Sequence, residues 1–478
     1  MDKTRYIHFI GIGGAGMSGI AQILAELKYK VSGSDIKSNN NTKRLQKEGV
    51  LIFKGHKAEN LEGYDIGAIV VSSAIPENNP EIIWARQKNI PIYRRAEVLG
   101  YILNNKYGIA ISGTHGKTTT TSMISSLMES YNFNPTIIVG GEVCDFGGNA
   151  KLGGGTYTVV EADESDASFL HLCPQVIVIT NIEEDHLDYY SGIKEIKNTF
   201  LKFTTKLKSG GTIVCCSDND NIRELIPQIK NDNHQVITYG MEAKNNPDYL
   251  ITEIRYNGMG VSFEIKNREK SLGRFRLTVP GVHNALNATA SIIICHKLLN
   301  MPLDEIRDIL PKFQGVIRRF QVIGEVNGIK VIDDYAHHPT EIKATLNAAR
   351  SSFENRIIAI FQPHRFSRTK FFYEQMAEAL KKADVVILTD IYAASEQPMS
   401  GVSSELILNS LKKAGKSNSF LINDIKNIPS YAASIAQKND FIFTIGAGDV
   451  TSISTDIIKK LQEKYTASQQ QSNNYKNA

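Results

Sequence analysis

The chain has 478 residues, 42% hydrophobic and 22% charged, as in an ordinary globular protein with about three domains. A net charge of +4 without any long Lys/Arg run argues against nucleic acid as a partner. No apolar run approaches the roughly 18–20 residues of a membrane span, and five scattered cysteines (Cys144, Cys173, Cys215, Cys216, Cys295) lack metal-site spacing, which fits a reducing compartment.

Met1–Arg5 leads straight into an apolar run, not a secretory leader, so a cytoplasmic enzyme is expected. Strand-like Tyr6–Ile10 precedes the glycine loop GIGGAGMSG and a helix to about Lys28, and a second strand ends at Asp35. Ala68–Ser73 and Ile90–Arg94 continue the alternation, predicting a Rossmann-like first domain over residues 1–105. A second domain, residues 106–315, opens with the strand Tyr107–Ile111 and continues through Tyr157–Ala162, Gln175–Thr180, Gly211–Cys216 and Gln235–Gly240. YLITEIRYNGMGVSFEI then reads as a hairpin about Asn257–Gly258, a small antiparallel addition before a helix at His283–Leu299. The third domain, residues 316–466, again alternates strand and helix: Lys330–Tyr335, Arg356–Phe361, Asp384–Asp390 and Asp440–Gly446. The fold class expected is α/β, with parallel sheets and ligands at the carboxyl ends of the strands. Residues 467–478 are polar and of low complexity, and disorder is expected there.

The chemistry lies in loops that follow strands. Gly11, Gly13 and Gly16 fit GxGxxG, and Asp35 follows Gly16 by 19 residues. The pattern suits any diphosphate: a nicotinamide or flavin, a UDP-type ligand, or simply a tight structural turn. The segment GTHGKTTTT (Gly113–Thr121) is a phosphate-loop pattern with two residues, not four, between its glycines. Lys117 would reach the terminal phosphates of a nucleotide and Thr118 a magnesium ion. VVEADESDASF crowds Glu161, Asp163, Glu164 and Asp166 after a strand, and like charges this close call for cations. TNIEEDHLDYY brings Asn181, Glu183, Asp185, His186 and Asp188 to another strand end, and GVHNALNA offers His283, Asn284 and Asn287 for a nucleotide base. Arg318 and Arg319 sit at a domain junction; DDYAHHPTE (Asp333–Glu341) and QPHRFSR (Gln362–Arg368) end strands. Arg365 and Arg368, at i and i+3, could clamp one carboxylate if helical. An oxidoreductase built on GxGxxG leaves the later loop and acidic clusters redundant, and a non-enzymatic UDP-sugar-binding regulator needs fewer of them.

Together the motifs GIGGAGMSG, SSAIPENNPE, RRAE, GTHGKTTTT, EADESDASF, TNIEEDHLDYY, HNALN, RRF, DDYAHHPTE, QPHRFSRT and GAGD resemble the Mur ligases in order over roughly residues 5–465. Within them the chain is most similar to the alanine-adding branch. The branch that recycles a tripeptide shares GTHGKTTT but not EADESDASF. The resemblance implies ATP-dependent joining of L-alanine to the carboxylate of UDP-N-acetylmuramate through an acyl phosphate, in peptidoglycan precursor synthesis. It implies ATP and Mg2+ as cofactors. It implies catalytic roles for Lys117, Glu161, His186 and Arg318, with Thr118, Glu161 and His186 holding metal. ATP contacts would come from Gly113, Thr114, His115, Gly116, Lys117, Thr118, Thr119, Asn287, Arg318 and Asp333. The UDP-sugar would meet Gly13, Gly14, Ala15, Gly16, Asp35, Ser72 and Arg94, and the amino acid His337, Arg365 and Arg368.

Overall fold

A computed structural model describes the backbone of residues 2–143, 147–230, 234–394 and 396–476, and side chains as far as Thr466. Cys144 lies outside the described residues. Three sheets follow one another along the chain. The first has five parallel strands in the spatial order Leu51–Lys54, Lys30–Asp35, Tyr6–Ile10, Ile66–Val71, Ile92–Arg94. The order reverses beside Tyr6–Ile10, and a crevice at such a switch point lies over the glycine loop that follows this strand.

The second sheet has ten strands. At its centre Val176–Ile179, Tyr107–Ser112 and Tyr157–Glu161 run parallel and adjacent. Their burial on both faces explains the unbroken apolar run VIVI of Val176–Ile179. In parallel register their carboxyl ends coincide: Ser112 pairs with Ile179 and Ile111 with Glu161. Three loops therefore open side by side. The expected hairpin forms between Tyr249–Asn257 and Gly260–Asn267, and Lys270–Leu277 adds a third antiparallel strand. At the other edge Thr136–Val143 and Gly148–Lys151 pair antiparallel. The helix expected over His283–Leu299 divides into an α-helix, Val282–Ile292, and a π-helical turn, Ile293–Leu298.

The third sheet has six strands in the order Gln321–Val326, Ile329–Asp334, Phe441–Ile445, Ile357–Phe361, Val385–Leu388, Ser419–Leu421. All pairs are parallel except Gln321–Val326 with its neighbour. Its two faces carry separate apolar clusters, whereas the first two sheets share one continuous cluster that includes Ile7, Ile109 and Ile177. The last helix runs Ser454–Lys476. The backbone of residues 467–476 continues this helix.

Candidate active site

The phosphate loop is shaped by two glycines at positive φ, where a side chain is strained. Gly113 has φ +132°, and a Cβ there would lie 2.0 Å from Thr180 Oγ1. Gly116 has φ +81° and opens the helix Lys117–Ser130, with Asn287 against it. The neighbouring strand end holds the loop. Asn181 Oδ1 accepts from the His115 N–H at 2.8 Å, and Thr180 Oγ1 donates to the His115 carbonyl at 2.6 Å. Of the four threonines, Thr118 faces Glu161 and Thr119 lines a neighbouring cavity. Thr120 and Thr121 are fully buried, and Thr121 bonds back to the Lys117 carbonyl. Lys117 Nζ donates to the carbonyls of Gly113 (2.5 Å) and Thr114 (3.1 Å) and to Glu164 Oε1 (2.8 Å).

Burial opposes the charge on Lys117, but Glu164 and Glu161 outweigh it and raise its pKa. Glu164, 2% exposed, is pushed up to about 7 by burial, against the pull of Lys117, and its Oε2 is buried with no partner. Glu161 accepts from Thr118 Oγ1 at 3.1 Å and from the Gly140 N–H at 2.8 Å. This set fits a hard divalent cation: a hydroxyl beside a carboxylate, and a buried carboxylate oxygen without a donor. His186 Nε2 stands 3.8 Å from Glu164 Oε1, and burial lowers the imidazole below its ordinary pKa. Among the described residues a second group gathers possible ligands, His115, Glu183 and His338. There His115 spans Glu183 at 3.4 Å and Glu341 at 3.5 Å, which overcome burial and lift it to about 9.

From the third sheet come the arginines. Arg318 bonds Asp333 at 3.1 Å and the Gly446 carbonyl at 2.6 Å, and it lines the same cavity as Lys117. Asp333, expected among the ATP contacts, lines neither of the two cavities. Asp333 has no exposed surface, and its oxygens take Arg318, Thr444 (2.6 Å) and Thr451 (2.8 Å). The next residue, Asp334, lines the nucleoside-sized cavity instead, and burial, opposed by Arg319, raises it to about 6. Arg365 precedes the helix Phe366–Leu380 and Arg368 lies in its first turn. Both reach the central cavity beside His337, and both already face acids of the second domain: Arg365 meets Asp188 at 2.8 Å and Arg368 meets Asp185 at 2.9 Å. His337 is held down to about 4 by burial and by Arg368, so it is neutral near pH 7.

The amino-terminal loop joins this cavity through Ala15 and Gly16. Asp35 braces the loop from behind: its Oδ2 accepts from the Gly13 N–H at 2.9 Å, and Gly14 opens the helix Ala15–Glu26. Ser72 is half-buried after its strand. Arg94 is exposed and pairs with Glu77, outside the cavity. Its neighbour Arg95 does reach the cavity, 3.0 Å from Asp163; burial opposes the Asp163 charge, but Arg95 and Lys117 hold it down to about 2. Two spaces result. One of about 600 Å³ is walled by all three domains, and one of about 300 Å³ lies between Asn287, His283 and Thr340.

A phosphate loop, opposed carboxylates and anion-binding arginines converging from three α/β domains define a nucleotide-dependent ligase. Family models match successive parts of the chain: "Mur ligase family, catalytic domain" over residues 6–107, "Mur ligase middle domain" over 111–295, and "Mur ligase, glutamate ligase domain" over 318–448. The UDP-N-acetylmuramate–L-alanine ligase of Geotalea daltonii is 46% identical over 461 residues, 96% of this chain and 99% of that protein. The crystal structure of UDP-N-acetylmuramate-alanine ligase from Thermotoga maritima superposes with a TM-score of 0.80 at 31% identity, covering 96% and 100% of the two chains. A murein peptide ligase from Psychrobacter arcticus shares the fold at a TM-score of 0.69 and 23% identity, covering 96% and 98%. The chain belongs to the Mur ligase family.

Proposed function

We propose that this chain joins L-alanine to the carboxylate of UDP-N-acetylmuramate, coupled to cleavage of ATP to ADP and phosphate, in the cytoplasmic synthesis of peptidoglycan precursors. Residues 1–105 would take the UDP-sugar, 106–315 ATP and 316–466 the amino acid. The observation that carries the reading is the 600 Å³ cavity in which Gly16, Lys117 and Arg365, one from each domain, share a wall.

The muramoyl carboxylate attacks the γ-phosphorus, giving an acyl phosphate and ADP. The alanine amine then attacks the acyl carbon, and phosphate leaves from the tetrahedral intermediate. Both partners of the first step are anionic, so the protein's task is neutralisation and alignment. Lys117, held cationic by Glu164, and Arg318 draw charge off the phosphates. Thr118, Glu161 and His186 would hold Mg2+, which supplies further charge neutralisation when bound. Asn287 and Asp334 line the nucleoside-sized cavity, and Gly13–Gly16 would meet the UDP diphosphate. The neutral His337 leaves an approaching amine unrepelled, while Arg365 and Arg368 attract the carboxylate. Enclosure by three domains keeps water from the acyl phosphate.

The test is phosphate release over a panel of amino acids and the murein tripeptide, with and without UDP-N-acetylmuramate. Release that needs both ATP and the UDP-sugar and is fastest with alanine supports the reading. Preference for the tripeptide moves the chain to the recycling branch. Serine and glycine differ from alanine by little, so binding alone separates them only about 10–200-fold.

A further inference from the structure

Arg368 is the cation of the cavity wall held most firmly across the domain seam. Its Nε and one terminal nitrogen both donate to Asp185, at 3.2 and 2.9 Å to Oδ1 and 3.2 Å to Oδ2, and its other terminal nitrogen meets His364 Nδ1 at 3.1 Å. Both partners are almost buried, Asp185 at 6% and Arg368 at 7% exposure. The pair joins two domains across 183 residues of sequence. Arg365, by contrast, is a third exposed and meets acids through one terminal nitrogen alone, Asp188 at 2.8 Å and Glu396 at 3.9 Å. A guanidinium carries five donors in one fixed plane, so a bidentate partner on one edge sets where the remaining donors point.

We propose that Asp185 is a positioning residue for amino-acid capture: it fixes Arg368 across the domain seam, so that Arg365 is the mobile partner that closes on the substrate carboxylate. This rests on the amino-acid site assigned above. Asp185 also borders the phosphate-side histidine: the His186 backbone N–H donates to Asp185 Oδ1 at 2.8 Å, and His186 Nε2 lies 3.7 Å from Oδ2. One carboxylate thus stands between the arginine that faces the amino acid and the imidazole that faces the phosphates. A merely structural clamp would lower stability without singling out one substrate.

The test is steady-state kinetics on the full chain, first with the wild type to fix which amino acid it uses, then with Asp185→Asn, Arg368→Lys and the double variant. Asp185→Asn keeps the shape but removes one charged acceptor. The expected result is an amino-acid KM raised about tenfold, with KM for ATP and for the UDP-sugar changed less than twofold. Arg368→Lys, which keeps the charge but not the plane, should do the same, and the double variant should be no worse than the worse single one. An amino-acid KM that falls in Asp185→Asn means that Asp185 competes with substrate and overturns the proposal. Additive effects, or equal changes in all three KM values, also overturn it. Should Asp185→Asn fail to fold, Arg368→Lys carries the same readout. Wild-type protein inactive with every amino acid refutes the site assignment itself, which separates that failure from this one.

Discussion

Gly113→Ala is the substitution whose cost follows most directly from the coordinates. At φ +132° an alanine is strained by about 1–3 kcal/mol. Its Cβ would also sit 2.0 Å from Thr180 Oγ1, which must move. The single proton of that hydroxyl goes to the His115 carbonyl at 2.6 Å, with the Ser112 carbonyl a longer alternative at 3.2 Å, and losing this hydrogen bond costs about 1 kcal/mol. The sum, about 2–4 kcal/mol, is concentrated on the loop that presents Lys117, since the Gly113 carbonyl is itself a Lys117 acceptor. Gly210 provides the control: φ is +71°, but a Cβ there meets nothing within 4 Å. Urea unfolding and phosphate-release kinetics should be measured on both variants. Gly210→Ala should lose about 1 kcal/mol of stability and no activity. Gly113→Ala should lose at least twice as much stability and about 100-fold in kcat/KM for ATP. Equal behaviour of the two variants would refute the steric argument.

Arg95→Ala should raise KM for the UDP-sugar about tenfold, because it removes a cation from the cavity wall and frees Asp163, while Arg94→Ala should change it less than threefold; initial-rate kinetics decide between the neighbours. His115 is held near 9 by Glu183 and Glu341, above its unfolded value of 6.5. Its contribution is therefore fully present below pH 6.5 and lost as pH rises through 9, by about 3 kcal/mol in all. Wild type should lose urea stability between pH 6.5 and 10 relative to His115→Gln, and parallel profiles would contradict the assignment.

What could be read from the chain depended on whether a signal was local. The order Gly-Lys-Thr at a strand-to-helix junction points to Lys117 and Thr118, because the positive φ at positions 113 and 116 and the close neighbours there favour glycine. Glu161 ends its strand at the expected place. Choices between adjacent residues failed for a different reason. Asp333 and Asp334 point to opposite sides of one strand end, and only the sheet packing decides which side holds the cavity. Alternation offers no cue, since Val331, Ile332 and Asp333 are all fully buried on a strand covered on both faces. Likewise Arg94 ends a strand and Arg95 begins a helix, which turns them apart. The strands Thr136–Val143 and Gly148–Lys151 escaped notice because Gly140 and Gly141 interrupt the first and the second has four residues. The Asp185–Arg368 pair has no local trace at all, since each partner looks like an ordinary charged residue after a strand.

The central claim is that the muramoyl carboxylate, and not water, attacks ATP. Labelling that carboxylate with 18O and analysing the released phosphate by mass spectrometry tests it directly. The acyl-phosphate route transfers one labelled oxygen to each phosphate formed. Phosphate released without label would show that water attacks ATP and would contradict the account.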